Sequence, residues 1–595
     1  MMLGKYRKFL TVFSFAAFAA GVAASATPPG ATASCRVLPG DPDWPTQQDW
    51  QSLNKTVGGR LTETVPRESV CHDVPYNRYD AAACAELQKR FDFPTLARMD
   101  VPGEFMDMSF KNYSCDAFAP RSAPCSLGNH ASYVIEVWDA EDVKAALAFV
   151  ANHNIRLVVK NTGHDYLGRS TGAGALSLWT HHLKSTEFIP AYASCHYTGP
   201  AMKLGAGVQG FEAYAAANAT GHRIVSGSCP TVGIVGGYSQ GGGHSILSSR
   251  HGLGSDNVLE WEVVTADGRR LVATPDNEHA DLYWAVSGGG PGNYAVVLSM
   301  TARVHPDSII GGGTLAFNDT RVGNDAFWNA VGAFQALLPA FSDAGGNSFV
   351  YGLTASTFNA WTVTMPGADA DAAAALMKPF LDDLAGRGIE YEYRPHTSPN
   401  FLAHFARALG PLPEGIIENS GFMASRMIPR AVLSDPAANA RVTAALRNIS
   451  GLPDYSIACQ SLRSVGGGAD QEQDQPHPAN AVLTAWRNAE LICLPKGAWD
   501  PRAAPAEMAR RQAEAVSEVQ DVLDAATGPG GGIYMNEVSY LLPEWRDAMY
   551  GVNYERLLAV KRKYDPGSVL YVLHGVGSGD WVEAADKRLC RAAAS

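Results

Sequence analysis

The sequence has little of what a nucleic-acid partner or a membrane would require. Its 595 residues include 47 lysines and arginines against 59 aspartates and glutamates, which gives a formal net charge of -12. Binding phosphate groups needs basic patches, so we expect no nucleic-acid partner. After residue 26 there is no run of about 18 apolar residues of the kind that forms a membrane span. We therefore expect no membrane partner either.

Several familiar active-site motifs are also missing. No Gly-x-Gly-x-x-Gly lies between a strand and a helix with an acidic residue about 20 positions further on, and no glycine-rich loop ends in Gly-Lys-Ser/Thr. These absences exclude an ordinary NAD or ATP site. A Gly-x-Ser-x-Gly in a strand–turn–helix setting is lacking, which argues against a serine hydrolase. No His-x-x-x-His or Cys-x-x-Cys pair occurs, so we expect no metal, although His244 after a run of glycines is a candidate ligand.

What is present is typical of a large globular protein. Hydrophobic residues make up 46% of the chain and charged residues 18%, which excludes global disorder. The length exceeds what one hydrophobic core usually supports, so two domains or more are expected. No internal repeat is visible.

The N-terminus resembles a secretory signal peptide over residues 1–26, with basic residues up to Lys8, an apolar run over 9–24 and small residues up to Ala26. We expect a secreted, extracellular protein. Any used glycosylation sequon must lie on the surface, and the sequons are Asn54, Asn112, Asn218, Asn318 and Asn448. Ten cysteines suit an oxidising compartment, and the closely spaced candidates for disulfides are Cys71 with Cys84, Cys115 with Cys125, and Cys459 with Cys493. Sequence alone does not fix the connectivity.

Local patterns predict several elements. Residues 132–138 and 156–160 are typical of strands, and Asp139 can cap a helix between them. Asp267-Gly268 between two apolar runs predicts a hairpin. Residues 368–384 and 553–564 are typical of helices, and Asp565-Pro566 should end the second one. Residues 35–125 show little periodicity and are expected to be irregular.

Three glycine clusters, at residues 160–171, 227–244 and 287–293, fall in the middle of the chain. Glycine lets the backbone approach a ligand closely, and consecutive backbone N–H groups in such turns bind anions such as a pyrophosphate. Each cluster alone could be an ordinary loop. Three such clusters close together favour a dinucleotide-binding site.

These clusters resemble the FAD-binding domain of vanillyl-alcohol-oxidase-type flavoproteins. The resemblance rests on 162–164 (TGH), 227–233 (GSCPTVG), 252–257 (GLGSDN), 282–290 (LYWAVSGGG) and the tail from 553 to 566. It points to the berberine-bridge-enzyme-like branch, and within it to fungal secreted proteins similar to isoamyl alcohol oxidases. It implies an α+β fold in which a two-part FAD domain of the PCMH type is joined to a substrate domain with an antiparallel sheet covered by helices.

The resemblance also implies how the chain divides. A disulfide-rich N-terminal part at 27–125 and the main FAD-binding domain at 126–308 should be followed by a substrate domain at 309–533. A C-terminal segment at 534–595 should complete the FAD domain.

The resemblance implies covalent FAD, joined to His164 through the flavin 8α-methyl carbon and to Cys229 through flavin C6. Without it, these residues would be taken for a surface or core histidine and a disulfide cysteine. The remaining residues that it assigns to the cofactor are Gly163, Asp165, Gly168, Ser170, Thr171, Ser228, Thr231, Val232, Gly233, Gly236, Gly237, Gly242, Gly243, Asp256, Val258 and Asn553.

Oxidising an alcohol by hydride transfer requires a base near the hydroxyl. Where related oxidases carry a catalytic tyrosine on a strand, this sequence has Glu537, with Asn536 and Tyr540 beside it. We expect Glu537 to be the base. The alternative is a solvated or salt-bridged glutamate. Strand alternation would put Asn536 and Glu537 on opposite faces.

The residue three positions after the bridging cysteine is Val232. In the family, valine there goes with oxidases and leucine with dehydrogenases, because the smaller side chain leaves room for oxygen; simple core packing is the alternative. The expected function is oxidation of an alcohol or sugar-like hydroxyl by a monomer that uses dioxygen and yields hydrogen peroxide. The alternatives are a natural-product oxidase that forms a ring or a double bond, and a secreted flavin-binding protein with little turnover.

Overall fold

Four strands near the N-terminus form a mixed sheet. The computed structural model describes residues 35–91, 99–111, 113–415, 421–463 and 478–592; the predicted signal peptide and Asn112 lie outside these ranges. The strands of this sheet are β1 (Leu61–Glu63), β2 (Tyr133–Glu136), β3 (Leu157–Lys160) and β4 (Leu176–Trp179). They lie in the order β1-β2-β4-β3, with β4 parallel to both of its neighbours. The predicted strands at 132–138 and 156–160 are therefore confirmed.

The helix Ala140–His153 connects β2 to β3, as parallel strands require. The Asp139 carboxylate accepts hydrogen bonds from the backbone N–H groups of Glu141 and Asp142, as predicted for a helix cap. The helix buries Val143 and Val150 on one face.

A second, antiparallel sheet carries the middle of the chain. Its strands are β5 (Thr186–Ala193), β6 (Thr198–Gly205), β8 (Val258–Thr265), β9 (Arg270–Ala273) and β10 (Ala295–Arg303), in the order β5-β6-β10-β8-β9, and a separate pair is formed by β7 (His222–Arg223) and β11 (His305–Pro306). The predicted hairpin at Asp267-Gly268 joins β8 to β9. Gly268 has φ +81°, a conformation that L-residues rarely adopt.

The large third sheet is antiparallel throughout. Its strands are β12 (Ile310–Asn318), β13 (Ser348–Leu353), β14 (Thr357–Pro366), β15 (Tyr391–Ser398), β16 (Gly421–Met423), β17 (Arg426–Pro429), β18 (Tyr455–Ser461) and β19 (Ala489–Ala498). They lie in the order β15-β12-β14-β13-β18-β19-β16, and β17 also pairs with β19.

Helices cover one face of this sheet. The longest are Asn324–Asp343, Ala370–Gly386 and Pro436–Ser450. Alternate strand residues point to opposite faces: Phe349 and Tyr351 pack against the helices, whereas Val350 turns to the other side. That other side faces the cavity described below. The predicted α+β fold, with an antiparallel sheet covered by helices, is confirmed.

The remaining α-helices are shorter or flank these sheets. They are Gln47–Thr56, Ala81–Lys89, Met108–Lys111, Gly210–Asn218, Ser248–His251, Ala280–Val286, Phe401–Leu409, Arg430–Ser434, Ala485–Asn488, Pro505–Glu514, Asp521–Thr527, Trp545–Met549 and Tyr554–Tyr564. The last confirms the helix predicted at 553–564. No helix in the described ranges is long and apolar enough to cross a membrane.

The N-terminal part is more regular than predicted. Residues 35–125 contain the helices Gln47–Thr56 and Ala81–Lys89, and β1 pairs with β2. Thr46 and Asp80 cap these helices. The caps were present in the sequence, but short amphipathic stretches between loops gave too weak a periodicity to detect.

Four disulfides are present. Three confirm the closely spaced candidate pairs, and the fourth joins Cys35 to Cys590, close to the final two-stranded sheet of β20 (Trp581–Glu583) and β21 (Leu589–Arg591). Cys195 is exposed and Cys229 is buried, and neither forms a disulfide.

Candidate active site

One cavity lies where the glycine-rich loops, the open face of the large sheet and residues 534–537 meet. The first and second glycine clusters supply much of its wall, through His164, Cys229 and their neighbours. The loop after β3 carries His164, and the loop after β7 carries Cys229. The fold thus brings together segments that are far apart in the sequence.

His164 and Cys229 both contact one hydroxyl group, that of Thr231. The His164 Nε2 atom is 2.9 Å from Thr231 Oγ1, and the Cys229 Sγ atom is 3.5 Å from the same oxygen. Cys229 is only 8% exposed. An imidazole and a thiol, the two nucleophiles that the sequence singles out, therefore share one region of the cavity wall.

Other residues assigned to the cofactor also line the cavity. They are Gly163, Asp165, Ser170, Ser228, Val232, Gly233, Gly236 and Gly237. Asp165 shapes its loop, because its carboxylate accepts hydrogen bonds from the backbone N–H groups of Ser170, at 2.8 Å, and Leu167, at 3.1 Å.

The rest do not line the cavity, and the assignment of both groups to the cofactor stays a prediction. Gly168 packs against the Phe110 ring, and Gly242 and Gly243 lie beside Trp486 and Tyr238. The other four bond elsewhere in the protein: Thr171 to the Asn129 carbonyl, Asp256 to Arg487 and Asn480, the Val258 carbonyl to the Tyr283 hydroxyl, and Asn553 to the carbonyls of Ala481 and Val482.

The glycine-rich wall suits a flavin dinucleotide. A Cβ atom at Gly233 would lie 1.9 Å from Asn161 Oδ1, so the two loops approach more closely than any side chain would allow. A Cβ atom at Gly237 would meet only Pro291, at 3.8 Å, which leaves bare backbone facing the cavity. Bare backbone lets a dinucleotide approach closely, and its N–H groups can bind a pyrophosphate. The two nucleophiles would be available for a covalent bond to such a ligand.

The expected strand at 535–540 is wrong. The segment is a turn, in which the Glu537 N–H donates to the Tyr534 carbonyl at 3.0 Å. A turn lets consecutive side chains point the same way, which strand alternation forbids. Asn536 and Glu537 consequently both line the cavity, whereas Tyr540 does not. Its hydroxyl donates to Gln512 Oε1 at 3.1 Å.

His244 is a cavity residue whose place the sequence did not reveal. Its Nε2 atom is 3.2 Å from Glu537 Oε2, and its Nδ1 atom is 2.9 Å from Gln460 Oε1. The sequence indicated His244 only as a possible metal ligand. The usable signal was its position directly after a run of glycines that enters the site.

Asn536 joins the two glycine clusters at the back of the cavity. Its amide nitrogen donates to the Gly237 carbonyl at 2.8 Å and to the Tyr534 hydroxyl at 3.0 Å, and its oxygen accepts from Arg169 at 3.3 Å. Burial raises the pKa of Tyr534 and of Tyr238 above the ordinary value. Both phenols therefore stay neutral.

The large sheet supplies the opposite wall, which is mainly apolar. Its lining residues are Val350, Trp361, Ala458, Cys459, Gln460 and Leu494, and they come from β13, β14, β18 and β19. Sequence patterns did not locate these residues, because the strands that carry them are far apart in the chain. The wall gives the cavity room for a largely apolar molecule beside the polar Glu537–His244 corner.

Comparison with known proteins identifies the relatives of this chain. Family profiles described as "FAD binding domain" and "Berberine and berberine like" match residues 131–274 and 533–577. A VAO-type flavoprotein oxidase, VAO615, of Thermothelomyces thermophilus is 57% identical over 560 residues, which cover 94% of this chain and 96% of that protein. The bifunctional decalin synthase calF of Penicillium decumbens is 44% identical over 589 residues, which cover 98% of this chain and 100% of that protein.

A solved structure agrees. The crystal structure of the VAO-type flavoprotein MtVAO615 from Myceliophthora thermophila C1 superposes with a TM-score of 0.90 at 56% sequence identity, covering 94% of this chain and 100% of that one. The likeness thus extends over both the glycine-rich half and the large sheet. The chain belongs to the berberine-bridge-enzyme-like branch of the vanillyl-alcohol-oxidase superfamily and is an FAD-dependent oxidoreductase.

Proposed function

We propose that this chain is a secreted oxidase with FAD attached at both His164 and Cys229. In this proposal it oxidises an alcohol or sugar-like hydroxyl and reduces dioxygen to hydrogen peroxide. The observation that carries it is the convergence of the two nucleophiles on the Thr231 hydroxyl, at 2.9 and 3.5 Å. Two nucleophiles from separate loops on one cavity wall suit two attachment points on one ligand.

Three residues of the cavity have separate roles in the proposed reaction. FAD bound in this cavity would supply the hydride acceptor, and its reduced form would be reoxidised by dioxygen. Glu537 removes the proton of the substrate hydroxyl, because an alkoxide releases hydride far more readily than an alcohol. Asn536 anchors the turn that carries Glu537 through its bond to Gly237. Val232, at the cavity wall beside Cys229, leaves space for oxygen.

A natural-product oxidase that forms a ring or a double bond is the second candidate. The apolar wall from the large sheet favours it, as does a relative named a decalin synthase. A secreted flavin-binding protein with little turnover is a third possibility, which the convergence of Glu537 and His244 on the cavity disfavours.

The setting of the enzyme is part of the proposal. Four disulfides suit an oxidising compartment, and the four sequon asparagines in the described ranges are at least partly exposed (Asn54, Asn218, Asn318 and Asn448). We propose a glycosylated monomer with its FAD domain at 27–308 and 534–595 and its substrate domain at 309–533.

The test begins with purified protein precipitated in acid. We expect the pellet to stay yellow, and peptide mass spectra to show flavin on the peptides that contain His164 and Cys229. Flavin that washes out of the unfolded protein, or both peptides unmodified, would overturn the attachment. Peroxide release across alcohols, oligosaccharides and phenols then identifies the substrate class, and stopped-flow bleaching of the flavin separates an enzyme from a mere flavin-binding protein.

A further inference from the structure

The carboxylate of Glu537 has one polar partner among the described residues. Its Oε2 atom lies 3.2 Å from His244 Nε2, and no other described side chain hydrogen-bonds to it. The side chain is 24% exposed and lines the cavity. Its second oxygen is therefore left to face the cavity, where a substrate hydroxyl would lie.

The other ring nitrogen of His244 also has a hydrogen-bond partner. Gln460 Oε1 lies 2.9 Å from its Nδ1 atom, and the Ser228 hydroxyl contacts the same oxygen at 3.5 Å. Gln460 belongs to β18, so the large sheet fixes the imidazole. The Tyr534 ring meets the imidazole edge to face at 5.4 Å, and Trp486 lies parallel to it at 6.3 Å.

The hydrogen-bond partners of His244 determine where its ring carries hydrogen atoms. An amide oxygen only accepts, so Nδ1 of His244 carries a hydrogen. Two lone pairs facing each other at 3.2 Å would repel, so Nε2 and Glu537 Oε2 must have a proton between them. The pair is then an imidazolium beside a carboxylate, or an imidazole beside a carboxylic acid.

We propose that His244 is a positioning residue that holds Glu537 through this shared proton, so that the two side chains act as one proton-accepting pair. The inference rests on the proposed role of Glu537 as base. In the reacting pair the O–H bond of the substrate breaks, and its proton bonds to the Glu537 oxygen that faces the cavity. The bond between His244 and the other oxygen keeps the carboxylate from turning away.

The other groups around the pair do not titrate with it. Tyr534 and Tyr238 stay neutral because burial raises their pKa values; the Tyr238 hydroxyl donates to the His244 carbonyl at 3.0 Å. The Arg169 guanidinium, which bonds to Asn536, keeps its positive charge.

Three variants test the pair. His244→Gln keeps an N–H donor in place of the imidazole, and His244→Ala removes the donor. Gln460→Leu removes the acceptor that fixes the imidazole. His222→Gln is the matched control, because His222 is half-buried and does not line the cavity.

The first measurement needs no substrate. Infrared difference spectra of each protein against its own Glu537→Gln form follow the carboxyl group of Glu537. We expect its bands to shift in His244→Ala relative to the wild type, because the hydrogen bond to Oε2 is lost, and to shift less in His244→Gln, because the amide N–H replaces that donor. Crystal structures of the flavin-loaded proteins should show Glu537 in place in His244→Gln and turned away in His244→Ala. The same bands in the wild type and His244→Ala, or an unmoved Glu537 in His244→Ala, would overturn the proposal.

The second measurement is anaerobic bleaching of the flavin by isoamyl alcohol, benzyl alcohol or cellobiose. We expect the limiting rate to fall about 10- to 100-fold in His244→Ala, to recover partly in His244→Gln, and to change little in His222→Gln. The substrate concentration at half-saturation should stay within about threefold, an effect below 1 kcal/mol. Equal rates in His244→Ala and the wild type would count against the pair. If no probe bleaches the wild type, the proposed function fails with these substrates, and the infrared and crystallographic results still decide the pairing.

Discussion

The disulfide between Cys35 and Cys590 joins residues that are 555 positions apart. It is supported by a backbone bond from the Arg36 N–H to the Leu589 carbonyl, at 2.7 Å, and by the Asn154 amide, which donates to the Cys35 carbonyl at 2.8 Å. The disulfide ties Cys35 to the last strand, and the hydrogen bond from Asn154 ties it to the end of the helix before β3.

Removing this disulfide should destabilise the fold. Cross-linking distant residues restricts the unfolded chain, so Cys35→Ser with Cys590→Ser should lower the free energy of unfolding by about 2 to 5 kcal/mol. Urea unfolding of the oxidised proteins measures the change. Cys195→Ser is the control, since Cys195 is exposed and lies outside the disulfides. Equal stability of the double variant and the wild type would contradict the expectation.

Features that depend on neighbouring residues could be predicted from the sequence, whereas contacts between distant segments could not. The cap at Asp139 and the turn at Gly268 depend on a few neighbouring residues, and both were found. The pairing of Cys35 with Cys590 and the contact of His244 with Gln460 depend on segments that meet only in the folded chain. The turn at Glu537 was missed because the strand expected there was taken from the resemblance to related oxidases and not from the residues of this segment.

Stability should also respond to acid through Glu262. Burial opposes its charge, but hydrogen bonds from Lys203, Arg270 and Ser299 outweigh burial and lower its pKa to about 2. A carboxyl whose pKa is lowered on folding stabilises the fold at pH values above its ordinary pKa of 4.5. This stabilisation is lost as the pH falls towards the pKa in the folded state, about 2.

The matching variant is Glu262→Gln. At pH 7 it should lower the free energy of unfolding by about 1 to 3 kcal/mol, the range for hydrogen bonds to charged groups, and the difference from wild type should shrink as the pH falls below about 4.5. Urea unfolding at pH 7 and at about pH 3 tests this, with the exposed Glu187→Gln as control. A difference that grows in acid would contradict the sign.

Enlarging Val232 should slow the reaction with oxygen. Val232 lines the cavity three residues after Cys229, and leucine there would fill space with one more methylene. We expect Val232→Leu to reduce the rate of flavin reoxidation about tenfold or more, which is a barrier increase of ~1.4 kcal/mol, while reduction by substrate changes little. Stopped-flow mixing of reduced enzyme with aerated buffer measures it. Val350→Leu, on the opposite wall, is the control, and equal slowing in both would indicate general crowding.

Neutralising Glu537 should stop catalysis but spare the cofactor. Glu537→Gln keeps the size of the side chain and cannot accept the substrate proton, so turnover should fall about 100-fold or more. Absorbance at the flavin bands should show an unchanged cofactor content. Glu544→Gln changes an exposed glutamate seven residues further on and should have no effect. Unchanged turnover in Glu537→Gln would assign the base to another group.

The two attachment points should be separable by mutation. Thr231 lies within 3.5 Å of both His164 and Cys229, so each can reach the same bound ring independently. His164→Ala and Cys229→Ala should each keep flavin after acid precipitation, through the remaining bond, and only the double variant should release it into the supernatant. Cys195→Ser should behave as the wild type does. If either single variant releases all of its flavin, one bond is absent or forms only after the other. Mass spectra of the flavin-bearing peptides of the wild type would distinguish these cases. Only one of the two residues would carry flavin in the first case, and both would carry it in the second.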